Sequence, residues 1–134
     1  MGVVLAERLI RAGCDVSVFN RTRAKTEPLE ALGAEVVDVP ADLCDRDIVI
    51  TMIGSTEDLE HVIDGPSGLF TAGSAPGLLV DCSTISIEGS ARVRQRALDV
   101  GTPMLAAPVS GNPKVALNGM LLSLIHISEP TRPY

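Results

Sequence analysis

Apolar positions along this chain switch repeatedly between a spacing of three to four and a spacing of two. Over residues 3–12, Val3, Ala6, Leu9 and Ile10 form one helical stripe, and Gly13 ends it. Asp15–Phe19 alternates and is rich in β-branched residues, which predicts a strand. A helix is expected between Thr22 and Leu32, closed by Gly33. Pro28 lacks the N–H that a helix interior needs, so this helix either kinks or starts late with Thr26 as its cap. Glu35–Asp38 predicts a short strand, and a helical turn is expected over Ala41–Cys44, just after Pro40. Asp47–Ile53 is the strongest strand signal, a nearly unbroken apolar run. Ser55, with Asp58 three residues on, resembles a capping box opening a helix that reaches Ile63. Residues 64–77, rich in Gly, Pro and Ser, read as a loop with Leu69 and Phe70 pinned to the core. Leu78–Cys82 predicts a strand, Ser86–Val100 a helix, Pro103–Ala107 a strand, and Pro113–Met120 the start of another helix. Strands alternating with helices imply right-handed βαβ units, hence an α/β fold with a doubly wound, mainly parallel sheet.

Composition narrows the picture. At 134 residues the chain is one domain or part of one. Its hydrophobic fraction is 46%, yet it has two Phe, one Tyr and no Trp, and a Val/Ile/Leu/Ala core suits a parallel sheet buried on both faces. A net charge of −6 with scattered acids argues against nucleic acid or an anionic membrane surface as partner. Cys14, Cys44 and Cys82 are far apart and odd in number, so neither a disulfide framework nor a metal site is expected. The cytoplasm is the expected compartment. No apolar run is long enough for a membrane span, and Met1-Gly2 opens no signal peptide.

Candidate chemistry gathers behind two strands. Asp81-Cys-Ser-Thr-Ile-Ser86 follows Leu78–Val80, and Ala107-Pro-Val-Ser-Gly-Asn112 follows Met104–Ala106. Hydroxyls and small residues then stand at strand carboxyl ends, where open α/β sheets bind ligands. The first helix, by contrast, has no strand ahead of it. In dinucleotide-binding βαβ units a strand leads into G-x-G-x-x-G and the helix opens at the last glycine. Met1-Gly2 stand at the final two positions of such a fingerprint, so the expectation is a truncated unit lacking its first strand. After Leu121 the pattern changes: Ile125 and Ile127 alternate, then Pro130 and Pro133 break it. This stretch is similar to translated sequencing-adaptor DNA. Residues 122–134 are therefore expected to be a non-native tail, with His126 and Tyr134 outside any mechanism, and the domain to span residues 1–121.

Taken in order, Met1-Gly2, Arg11-Ala-Gly13, Asn20-Arg-Thr22, Gly33-Ala34, Asp81-Cys-Ser-Thr84, Ala107-Pro-Val-Ser-Gly111 and Gly119 resemble the β-hydroxyacid dehydrogenase family, of the 3-hydroxyisobutyrate dehydrogenase type. The likeness covers residues 1–121 and only the family's cofactor domain. It implies a Rossmann-type domain without its first strand and without the helical second domain that carries the catalytic lysine. No catalytic residue is assigned within this chain, and Lys114 reads as a solvated side chain. The implied reaction is hydride transfer between nicotinamide and a small hydroxy acid or semialdehyde, with this fragment itself inactive. The likeness also implies an intact parent that is a homo-oligomer.

The resemblance assigns Gly2, Asn20, Arg21, Thr22, Ile53, Gly54 and Thr84 to the cofactor. Ser83, Ser110, Gly111 and Asn112 are assigned to the substrate. Gly2 would admit a pyrophosphate to a helix N-terminus, whose N–H groups and dipole favour an anion. Domains preferring NAD usually place an acid after the second strand, whereas Asn20-Arg21-Thr22 offers a cation that suits a 2′-phosphate. NADP(H) is therefore expected over NAD(H). Gly54 and Ile87 stand where the family often has Pro, Ala106 where it often has Asp, and Asn112 where a second Gly is common; these departures leave the substrate open. The alternatives are a non-catalytic dinucleotide-binding module and a methyltransferase using S-adenosylmethionine. The latter wants an acid where Asn20-Arg21 stands. Imine reductases share the fold and the Asn-Arg-Thr phrase, but fit Asp81–Thr84 less well.

Overall fold

The structure, a computed structural model, describes residues 2–110 and 122–123. The first helix, α1 (Gly2–Arg11), leads through Gly13 into β1 (Ser17–Val18). Gly13 has φ +91°, a left-handed conformation that a side chain disfavours, and it closes the helix as expected. The region around Pro28 resolves as a 3-10 turn, Arg23–Thr26, followed by one turn of α2 (Glu27–Glu30) with Pro28 at its start. Thr26 holds the cap position without capping: its hydroxyl donates back to the Arg23 carbonyl at 2.6 Å. Then follow β2 (Glu35–Val36), a 3-10 turn (Pro40–Leu43), β3 (Ile48–Thr51), α3 (Thr56–Asp64), β4 (Leu78–Asp81), α4 (Ile87–Asp99) and β5 (Met104–Ala106).

All strand pairs among these elements are parallel, as the alternating pattern requires. β3, β4 and β5 lie side by side, Ile48 opposite Leu78 and Asp81 opposite Ala106. β1 and β2 form a separate pair, Ser17 opposite Glu35. The core lies between the three-stranded sheet and helices α3 and α4, built from Val49, Leu59, Ile63, Leu69, Phe70, Leu79, Val93, Ala97 and Met104. Leu69 and Phe70 are pinned as expected, through backbone N–H groups donating to the carbonyls of Val62 and Ile63.

Among the described residues no strand hydrogen bond joins β1 to β3. At the amino ends the Arg46 guanidinium bridges the two pieces, donating to the Asp15 carbonyl at 2.8 Å and pairing with its carboxylate at 3.3 Å. At the carboxyl ends, the start of α1 lies against Met52, where a Cβ on Gly2 would be 3.7 Å from the Met52 Cβ. β3 is covered on one face only: Val49 and Thr51 are buried while Ile48 and Ile50 are 56% and 44% exposed. Further on, β6 (Val109–Ser110) pairs antiparallel with β7 (Leu122–Ser123). The helix expected over Pro113–Met120 lies outside the described residues, as do Gly111, Asn112, Lys114, His126 and Tyr134.

Candidate functional site

A buried carboxylate organises the carboxyl end of the sheet. Asp81, the last residue of β4, is 2% exposed. One of its oxygens, Oδ1, accepts from the Thr51 hydroxyl at 2.9 Å and from the Ser83 N–H at 3.1 Å. The Ser83 hydroxyl in turn accepts the Ile53 N–H at 2.7 Å. Backbone bonds from Cys82 to Thr51 and from Ala107 to Asp81, each 2.8 Å, carry the pairing of the three strands to their ends. The loops that follow β3 and β4 are thus fixed to each other by a chain of buried and part-buried hydrogen bonds. The Cys82 thiol sits in this layer, and burial, followed by the negative charge of Asp81, pushes its pKa up.

A polar rim surrounds this centre. Ser55 caps α3 by accepting the Asp58 N–H at 3.1 Å, as its spacing predicts. Ser86 caps α4 by accepting the Gly89 N–H at 2.9 Å, and its own N–H donates to the Thr56 hydroxyl at 3.2 Å. The two helix starts are therefore stitched together beside the strand ends. After β1, the Asn20 side chain accepts the Thr22 N–H at 2.8 Å, an Asx turn that shapes the loop. From this loop Arg21 reaches α3 and donates to Asp58 at 3.2 Å.

Each assigned residue can now be placed. Gly2 opens α1 at the carboxyl end of β3; the first turn of α1 holds no acid, and Arg8 and Arg11 stand in its last turn. Asn20, Arg21 and Thr22 are exposed on the loop after β1, and Ile53 and Gly54 follow β3. Thr84 is exposed and lines a groove of about 620 Å³ between α4 and the end of β5, with Ser83, Ile87, Arg94, Leu98 and Val109. Ser83, assigned to substrate, is 4% exposed, and its hydroxyl is engaged by the loop after β3. Ser110 continues β6 next to this groove. No motif marks Thr51 and Asp81 as organisers, although an acid closing an apolar strand is visible in the sequence, and Asp58 stands there only as part of a cap. Among the described residues no group of three or more His, Cys, Asp or Glu could hold a metal, and no helix is long and apolar enough to cross a membrane.

Over residues 1–128 the sequence matches the family described as the NAD binding domain of 6-phosphogluconate dehydrogenase. This chain belongs to that family. As an NAD-binding domain it is 37% identical over 132 residues to glyoxylate/succinic semialdehyde reductase 2, chloroplastic, of Arabidopsis thaliana, covering 97% of this chain and 37% of that protein. It is 33% identical over 126 residues to cytokine-like nuclear factor N-PAC of Xenopus tropicalis, covering 92% of this chain and 23% of that one. In three dimensions it is similar to 3-hydroxyisobutyrate dehydrogenase of Mycobacterium tuberculosis, solved with L-serine, with a TM-score of 0.84 and 29% identity over 93% of this chain and 42% of that one. The chain thus spans less than half the length of these relatives, and the likeness to β-hydroxyacid dehydrogenases is a likeness to their nucleotide-binding domain.

Proposed function

We propose that this chain is the cofactor-binding part of an NADP(H)-preferring reductase acting on a small semialdehyde, keto acid or the corresponding hydroxy acid. One observation carries the reading: the acid-free N-terminus of α1 and the Asn20–Thr22 loop both sit at strand carboxyl ends, where a dinucleotide is held. The residues present suit the group. The unpaired N–H groups of α1 and its dipole favour a pyrophosphate, and no acid in the first turn opposes it. Arg21 offers a forked cation to a 2′-phosphate, which the loop would not attract if it carried an acid. Ile53 and Gly54 would lie along the cofactor, and Thr84 faces the groove where its nicotinamide end would lie.

When bound, the nicotinamide supplies the hydride. The chain's own residues bind and orient: Asp81 and Ser83 fix the two loops, and Thr84 would meet the nicotinamide end of the cofactor. Ser110, Gly111 and Asn112, with Ser83 at the neighbouring strand end, are the residues proposed for the substrate. The proton-handling lysine is assigned to a helical second domain, so this chain alone is not expected to turn over. The cytoplasm and a homo-oligomeric parent complete the proposal. The name of the Arabidopsis relative supports glyoxylate or succinic semialdehyde as the substrate to try first.

A chimera tests the reading. Residues 1–121, placed in the matched part of the Arabidopsis reductase, are expected to support NADPH oxidation with one of those two aldehydes. The name of the Xenopus relative, which is not an enzyme's, favours a second reading, a non-catalytic nucleotide module. A chimera that binds NADPH yet never oxidises it would support that reading instead.

A further inference from the structure

We propose that Asp58 sets the cofactor preference of this site: its carboxylate is a resident counter-ion for Arg21 that a ribose 2′-phosphate has to displace. This rests on the proposed role of Arg21 and adds a residue on a different element. Arg21 lies within the Asx turn that Asn20 makes with the Thr22 N–H, and its Nη1 donates to the Asp58 carboxylate at 3.2 Å. That contact is single rather than forked, and the two side chains are 79% and 42% exposed. Such a pair is weak, so an incoming phosphate can take the guanidinium over.

Asp58 does not leave when that happens. Its backbone N–H is tied to Ser55, and a negative charge in the first turn of α3 is favoured by the helix dipole. The carboxylate therefore stays beside any bound phosphate as a like charge. Arg23, which opens the 3-10 turn that follows, has a carboxylate partner of its own in Asp38 at 2.7 Å. Arg21 and Asp58 together carry no net charge, whereas a 2′-phosphate brings about −1.5 to −2 near neutral pH. A nucleotide without that phosphate meets no such repulsion, and its ribose hydroxyl is a donor that a carboxylate accepts. Asp58 thus restrains a preference that Arg21 creates and keeps the non-phosphorylated nucleotide usable.

The test is a pair of titrations, with NADPH and with NADH, followed by amide NMR shifts so that weak binding is still read. Wild type, Asp58→Asn, Asp58→Ala and Arg21→Gln chains are compared, with circular dichroism confirming an unchanged fold. Both Asp58 variants are expected to bind NADPH 3- to 10-fold more tightly and NADH no more tightly, so that the ratio rises; Arg21→Gln is expected to abolish it. In the double variant Arg21→Gln/Asp58→Asn the ratio should rise above that of Arg21→Gln alone, because the like charge is gone, and stay below that of Asp58→Asn. If the Asp58 variants leave the ratio unchanged or lower it while Arg21→Gln abolishes it, the role of Asp58 is refuted and the reading of Arg21 stands. If Arg21→Gln leaves the ratio intact, or neither nucleotide moves any wild-type signal, the nucleotide reading itself fails.

Discussion

At the scale of residues, one carboxylate does more than its neighbours. Both strong bonds to Asp81 end on the same oxygen, so an amide can reproduce them and a methyl cannot. Asp81→Ala is expected to destabilise the fold by about 2–4 kcal/mol, because it strands the Thr51 hydroxyl and the Ser83 N–H. Asp81→Asn should cost less than about 1.5 kcal/mol by the same reasoning. Equal losses in urea unfolding of the two variants would contradict this arrangement. Cys82 adds a pH signature. Its native pKa lies above the ordinary value of 9.0, so the folded thiol keeps its proton where the unfolded one has lost it. This contribution is complete below pH 9.0 and is lost as pH rises through the raised native value. Cys82→Ala should flatten the alkaline fall in stability, and a difference profile against wild type between neutral and strongly alkaline pH checks it. A thiol reagent should reach exposed Cys14 first and Cys82 last.

At the scale of elements, the helix starts matter most. Gly89 is the third residue of α4, and a Cβ there would overlap the Thr56 methyl and stand 2.9 Å from the capping Ser86 hydroxyl. Gly89→Ala should therefore destabilise by about 1–3 kcal/mol even though alanine is the better helix former. Thr56→Ser, which removes the methyl and keeps the hydroxyl that accepts from Ser86, should restore part of that loss. A thermal melt of the double variant no better than that of Gly89→Ala contradicts the contact. The α3 cap was legible in the sequence because it is local: Ser55 with Asp58 three residues on depends on spacing alone. The apolar strands were legible for the same reason. The pairing of Arg21 with Asp58 was not, since it joins residues 37 apart and depends on the fold bringing the loop after β1 to the start of α3. The late helix start at Thr26 with Pro28 in the first turn was legible too, whereas the sequence does not show that the Thr26 hydroxyl turns to the nearer Arg23 carbonyl.

At the scale of the whole molecule, the parallel sheet comes in two pieces whose facing edges are bridged by Arg46 and flanked by α1. A parallel strand laid between β1 and β3 and running into Gly2 would pair with both. Such a strand would make about ten hydrogen bonds worth about 0.5–1.5 kcal/mol each. Fusing an apolar strand ending in Gly-x-Gly-x ahead of Met1 is therefore expected to raise the melting temperature by about 10 °C or more. An unchanged melting temperature would show that the two pieces do not accept it. The order of strands and helices, and so the fold, could be read from periodicity. The uncovered face of β3 leaves Ile48 and Ile50 in solvent, which the apolar run in the sequence does not foretell.

The central claim is the place where a dinucleotide binds, and amide shift mapping of this chain with NADPH tests it most directly. The account predicts that the largest changes fall on the first turn of α1 from Gly2, on Asn20–Thr22, on Ile53 and Gly54, and on Thr84. Changes centred instead on the outer faces of α3 and α4, around Glu60 and Arg92, would contradict it.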